Sequence, residues 1–294
     1  MRLGSKVLLV LALVGAGPAC APKIVPPLSA AEFEEKGRAA YEKALESFYD
    51  RDWAGVVPKM QEVKRQYAGT RWARLAHLRV ADAEFYQDSF TEAVVSYREF
   101  LREFPNDPEV VYARYKVAEC LFESRGDSSL SPPLEERDLV NVRDADKTIA
   151  EFLRDYPTYD KRDRLLYMHA WVRGELARHE LYVARYYLKT DRYKAAIART
   201  EYALVTFKDT GLEPEALVLL GETHLRQHEI EQAILAFQTV LQQYPKSPFA
   251  VPARNFLEHL EKNEPEAVAA SRGRSPAAKT TSPAGDGAKP PTTP

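Results

Sequence analysis

The side chains best suited to ligate a metal or attack a substrate in this 294-residue chain are six histidines and two cysteines. His224 and His228 stand four apart, a spacing that lets two imidazoles face one metal from a helix. Arg226 stands between them rather than the glutamate of a metalloprotease motif, and no third ligand is evident. Cys20 and Cys120 could pair on paper, yet neither has a C-x-x-C partner. Cys120 sits in the apolar run Val117-Ala118-Glu119-Cys120-Leu121-Phe122, as a small core residue does. No Gly-rich phosphate loop and no G-x-S-x-G elbow occurs. Acidic residues 32–35 and arginine-rich residues 71–79 read as solvated helix faces. These residues point to no catalytic site, no metal and no cofactor. An enzyme is the rival expectation, and it demands a pocketed cluster of titratable groups.

Five copies of one apolar pattern must position whatever site exists. They are Trp53, Val56, Met60, Val63, Tyr67; Phe90, Ala93, Tyr97, Phe100, Phe104; Val142, Ala145, Ile149, Phe152, Tyr156; Tyr193, Ala196, Thr200, Ala203, Phe207; and Ile230, Ala233, Phe237, Val240, Tyr244. Offsets of 0, 3, 7, 10 and 14 hold one face of an α-helix. The copies start 37, 52, 51 and 37 residues apart. A tetratricopeptide unit of two helices and a turn takes about 34 residues. The longer steps contain residues 124–137, rich in Ser, Gly and Pro and expected as an inserted loop, and residues 161–189, expected as one long helix. Pro105, Pro157 and Pro245 should end second helices; Lys208 takes that slot in the fourth copy, where a less sharply fixed end is expected. In the fifth copy, Leu217, Leu220, Gly221 and His224 form a helical stripe, with Gly221 and Ala233 allowing close approach. The expected fold is an all-α tetratricopeptide-repeat solenoid of about five helix pairs over residues 31–262, an architecture used for binding proteins.

Composition narrows the partners. Lys+Arg is 41 and Asp+Glu is 43, so the formal net charge of -2 argues against nucleic acid. Residues 1–19 combine Arg2 and Lys6, a short apolar run and small residues, the form of an export signal. The run is shorter than the about 20 residues of a transmembrane helix. Two outcomes fit its end. Ala19-Cys20-Ala21 can serve ordinary secretion, or Cys20 can be acylated. We take the second, because Ala19-Cys20 resembles the bacterial lipoprotein signal, although Gly17 and Pro18 depart from the usual lipobox. Residues 20–30 then form a lipidated spacer, and Ala21 implies passage to the outer membrane. Residues 263–294, with Pro, Ala, Ser, Thr and Gly and no aromatic residue, are expected to be disordered.

The segment Glu180-Leu181-Tyr182-Val183-Ala184-Arg185-Tyr186-Tyr187 leads into Arg192-Tyr193-Lys194-Ala195-Ala196-Ile197-Ala198-Arg199. With Arg137-Asp138 and Tyr67-Ala68-Gly69-Thr70, it resembles the BamD (ComL-like) family of outer-membrane lipoproteins. The resemblance covers roughly residues 30–262. It implies a non-enzymatic, lipid-anchored subunit of the β-barrel assembly machinery on the periplasmic side of the outer membrane. It further implies a BamA-like barrel partner on the C-terminal repeats, with Arg199, Arg185 and Tyr186 at the contact. Unfolded outer-membrane protein clients would be received by the N-terminal repeats, where Trp72, Phe85, Tyr86 and Tyr112 are candidate aromatics. Without the resemblance, Arg199 reads as a helix-surface arginine paired with Glu201 or solvent. The alternative is another periplasmic repeat lipoprotein, of the cell-division coordinator or secretin pilot type.

Overall fold

The computed structural model describes residues 28–125 and 139–271. Twelve helices and no strand occur among them: α1 (Ala30–Tyr49), α2 (Trp53–Gln66), α3 (Arg71–Tyr86), α4 (Phe90–Glu103), α5 (Val110–Glu123), α6 (Val140–Asp155), α7 (Arg162–Lys189), α8 (Tyr193–Thr206), α9 (Glu213–Arg226), α10 (Ile230–Gln243), α11 (Ala250–Asn263) and α12 (Pro265–Ser271). Each helix packs on its sequence neighbours, and α1 meets α3, α7 meets α9, and α9 meets α11 across the pairs. This matches the expected repeat solenoid, with one addition. Helices α11 and α12 form a short sixth pair, and α12 also packs on α10. The helical domain therefore continues to Ser271, past the expected boundary at residue 262. Val268 and Ser271 of α12 are buried, so this stretch of the supposed disordered tail has a core contact. Cys20 with the rest of residues 1–27, most of the insert with Arg137-Asp138, and residues 272–294 lie outside the described residues.

The five-copy pattern maps onto α2, α4, α6, α8 and α10. In every copy the residues at +3, +7 and +10 are buried, from Val56, Met60 and Val63 through to Ala233, Phe237 and Val240. The residue at +14 is the C-cap each time: Tyr67, Phe104, Tyr156, Phe207 and Tyr244. Pro105, Pro157 and Pro245 follow three of these caps. A residue before proline is pushed out of the helical region, which ends the helix there. The fourth copy ends in the same register without proline, against the expectation of a looser end. The chain reverses instead through Asp209 (φ 66) and Gly211 (φ 79). Burying each large apolar side chain stabilises the stack by roughly 1.5–3 kcal/mol.

The turns from first to second helix share another device. Arg51, Asp88, Asp191 and His228 all adopt φ near 60°, the left-handed region. A non-glycine residue there costs about 1–2 kcal/mol, partly offset by the entropy glycine would lose. Arg51→Gly is expected to raise stability by about 0.5 kcal/mol, seen as a higher urea midpoint.

The fifth pair packs closely, but through a different partner from the expected one. A Cβ on Gly221 would lie 2.5 Å from a Phe237 ring carbon, rather than against Ala233. Phe237 is fully buried and stacks on Phe256 with centroids 4.8 Å apart. The ring has nowhere to retreat. Gly221→Ala is expected to cost about 1–3 kcal/mol in an unfolding titration. Of the expected stripe, Gly221 and His224 are buried, whereas Leu217 and Leu220 are half-buried and Val218 and Leu219 take the interior.

Helix α7, at 28 residues, is twice the length of α8 and α9. Its first half packs on α6, where His169 Nε2 lies 3.0 Å from Asp146 Oδ1. Its second half packs on α8 and α9. One helix thus joins the first three pairs to the rest.

Candidate functional site: two interaction surfaces

The candidate client aromatics all lie on α3 and α5, but the fold does not gather them. Trp72 is half-buried at the start of α3, 5.6 Å from the Tyr41 ring, and packs α1 onto α3. Tyr86 stands fourteen residues further along, about 21 Å at the helical rise. Phe85 is half-buried under Lys116, whose Nζ sits 3.1 Å from the ring centroid. Tyr112 is half-buried and donates to Asp82 Oδ1 at 2.6 Å. Only Tyr86 stays open, at 52% exposure.

Around Tyr86 the structure builds a ledge from residues outside that candidate set. Tyr86 stacks on Trp53 with centroids 4.7 Å apart, and Phe48 meets both rings edge-on. Tyr49, the residue after Phe48 and the last of α1, is 75% exposed. The sequence signal was positional. Tyr49 and Tyr86 each stand four residues before a second helix, so the repeat places both at the same edge.

Beneath the ledge lies a buried polar group. Asp82 is 1% exposed and accepts from the Tyr97 and Tyr112 hydroxyls and from Arg79 Nη1 at 2.5 Å. Arg79 in turn lies over the Phe48 ring. Burial, then the Asp82 charge, pushes the Tyr97 and Tyr112 hydroxyls far above the ordinary tyrosine range. Asp82 thereby ties α3, α4 and α5 together behind the aromatic surface.

The candidate partner residues lie on α7 and α8, and they divide sharply. Arg199 is not a surface residue. It is 6% exposed, and its Nη1 donates to Glu180 Oε2 of α7 at 2.9 Å. The expected alternative partner, Glu201, is on the exposed side of α8. The spacing suits Glu180 because α7 and α8 are antiparallel neighbours across a tight turn. Arg185 is half exposed and pairs with Glu215 of α9. Tyr186, at 58%, and Tyr182, at 40%, are open on the same helix.

The histidine pair does not form a site. Helix α9 ends at Arg226, so His228 falls in the left-handed turn, while His224 Nδ1 lies 2.6 Å from Glu229 Oε2. No group of three or more His, Cys, Asp or Glu could hold a metal among the described residues. Cys120 is a fully buried free thiol, pushed up to about 12 by burial. No helix among the described residues is long and apolar enough to cross a membrane.

With these surfaces placed, likeness to known proteins becomes decisive. Residues 34–229, from α1 into the turn after α9, match the YfiO family of outer membrane lipoproteins. The chain belongs to that family. Residues 215–247, covering α9 and α10, also match a tetratricopeptide-repeat family. Among curated relatives, the outer membrane protein assembly factor BamD of Caulobacter vibrioides is 28% identical over 174 residues, which is 59% of this chain and 55% of that protein. The chain thus spans little more than half the length of that relative. The BamD of Neisseria gonorrhoeae is 24% identical over 216 residues, 72% of this chain and 81% of that protein. A thermophilic TPR protein of Thermus thermophilus is a far looser likeness, with 13% identity and a TM-score of 0.32 over 75% of this chain and 98% of that one. Membership associates the chain with the outer membrane, and the family and the repeat architecture are of scaffold rather than catalytic type.

Proposed function

We propose that this lipoprotein is a non-enzymatic subunit of the machinery that assembles β-barrel proteins into the outer membrane. The observation that carries this is the family match over residues 34–229, whose relatives are named outer membrane protein assembly factors. Acylation of Cys20 would tether it to the outer membrane with the repeats on the periplasmic side. Several acyl chains hold stably where one is marginal, each buried CH₂ giving about 0.8 kcal/mol. A BamA-like barrel subunit would dock on the surface of α7 around Arg185 and Tyr186. Unfolded clients would meet the ledge of Phe48, Tyr49, Trp53 and Tyr86. Exposed aromatics on a rigid frame suit that task, because they offer apolar area with few rotatable bonds.

Arg199 then acts from inside the fold, by holding α7 through Glu180. Depletion of the protein in its host tests the proposal. Folded β-barrel proteins should fall in outer-membrane fractions while unfolded forms accumulate. Unchanged levels of folded barrels after complete depletion would contradict it.

A further inference from the structure

The edge of the solenoid carrying the first-to-second-helix turns changes character along its length. The residue four before the second helix is Tyr49 in the first pair and Tyr86 in the second. In the fourth and fifth pairs the same position holds Lys189 and Arg226. Tyr49, Tyr86 and Lys189 are exposed, and Arg226 takes the matching place at the end of α9. Lys189, Arg192 and Lys194 crowd the turn between α7 and α8, and Arg226 at the end of α9 lies within electrostatic reach of Tyr193 at the start of α8. Among the described residues, none of these four cations forms an ion pair within 4 Å. Arg178 and Arg185, nearby on α7, are tied to Glu175 and Glu215. The acid within the turn, Asp191, accepts from Tyr193 Oη at 2.7 Å.

These exposed cations are not held by ion pairs within the fold, although Glu222 lies in electrostatic reach of Arg226, so the edge is open to an anionic partner. Opposite charge steers association and fixes register at an interface. The bordering Tyr186 and Tyr182 add the aromatic area typical of protein contacts rather than of a bare anion site.

We propose that Lys189, Arg192, Lys194 and Arg226, with Tyr186 at their border, form a docking edge for an acidic protein segment. In the assembly role that segment belongs to the barrel subunit or an accessory subunit, so the inference deepens the function proposed above.

The test uses the purified full-length protein and a fluorescein-labelled twelve-residue Glu-Gly repeat peptide, followed by anisotropy at about 50 and 300 mM salt. Wild type should bind it more weakly at the higher salt and should not bind a Gln-Gly counterpart. The edge variant Lys189→Glu/Arg192→Glu/Lys194→Glu should bind at least tenfold more weakly with an unchanged thermal midpoint. A control, Lys43→Glu/Lys147→Glu/Lys262→Glu, makes the same change of net charge elsewhere and should bind as wild type does. Absence of wild-type binding, or equal losses in both variants, would overturn the proposal. Binding to phosphatidylglycerol vesicles lost only in the edge variant, with peptide binding intact, would also overturn it by assigning the cations to membrane. Edge-dependent peptide binding combined with no barrel defect on depletion would keep the edge and remove the assembly role.

Discussion

Arg199→Glu is expected to destabilise the fourth repeat by about 3–5 kcal/mol, and any loss of partner binding in that variant follows from this. The wild-type pair is almost dry, with side chains 7% and 4% exposed. Substitution would bury a second carboxylate against Glu180 with no cation between them. Arg199→Ala leaves one buried charge uncompensated and belongs in the same range. The apolar double variant Glu180→Leu/Arg199→Met removes both charges while keeping volume, and it should recover most of the lost stability. Urea unfolding of the three variants checks the sequence of effects. Equal stability of Arg199→Glu and wild type would show the pair to be solvated and Arg199 available to a partner. The double variant also separates two roles. If its partner binding matches wild type, Arg199 acts through the position of α7.

Asp82→Ala is the second large effect, at about 3 kcal/mol or more. It strands the buried Tyr97 hydroxyl and removes the acceptor of Tyr112 and Arg79. Asp82→Asn retains one acceptor oxygen and should cost less. Because Arg79 covers Phe48, Asp82→Ala should also loosen the ledge, read as a change in Trp53 fluorescence below the unfolding transition. The same network gives a pH dependence. Tyr97 and Tyr112 have folded-state pKa values raised above the ordinary tyrosine value near 10. Their contribution is fully present below that value and is lost as pH rises past it, because the unfolded chain releases protons first. Tyr97→Phe should flatten the fall in stability above about pH 10. An unaltered alkaline limb would remove these hydroxyls from the account.

Much of this architecture was legible in the residues. The 0, 3, 7, 10, 14 pattern placed five helices and the buried +3, +7 and +10 positions of each, because a helix face records its burial directly in residue type. The long helix α7 was legible for a different reason: residues 161–189 hold no proline and one glycine, so nothing breaks the helix. The sixth pair was not, since Pro265–Ser271 spans only seven residues and is too short to show a period. The sites were harder. Arg199 and Arg185 look alike in sequence, yet one is buried against Glu180 and the other lies at the surface. That difference depends on which face of α8 meets α7, a tertiary fact. Phe85 and Tyr112 looked like open aromatics, but Lys116 and Asp82 claim them. The Tyr49–Tyr86 and Lys189–Arg226 correspondence was written in the repeat, but its meaning needed the turn edge to be located first.

The assembly role is tested most directly by affinity purification of the tagged protein from detergent-solubilised membranes, with partners identified by mass spectrometry. The account predicts a barrel-forming outer-membrane subunit with periplasmic domains, recovered in near-stoichiometric amount. Its absence from the intact, acylated wild-type protein would contradict the account and leave a repeat scaffold with a different partner.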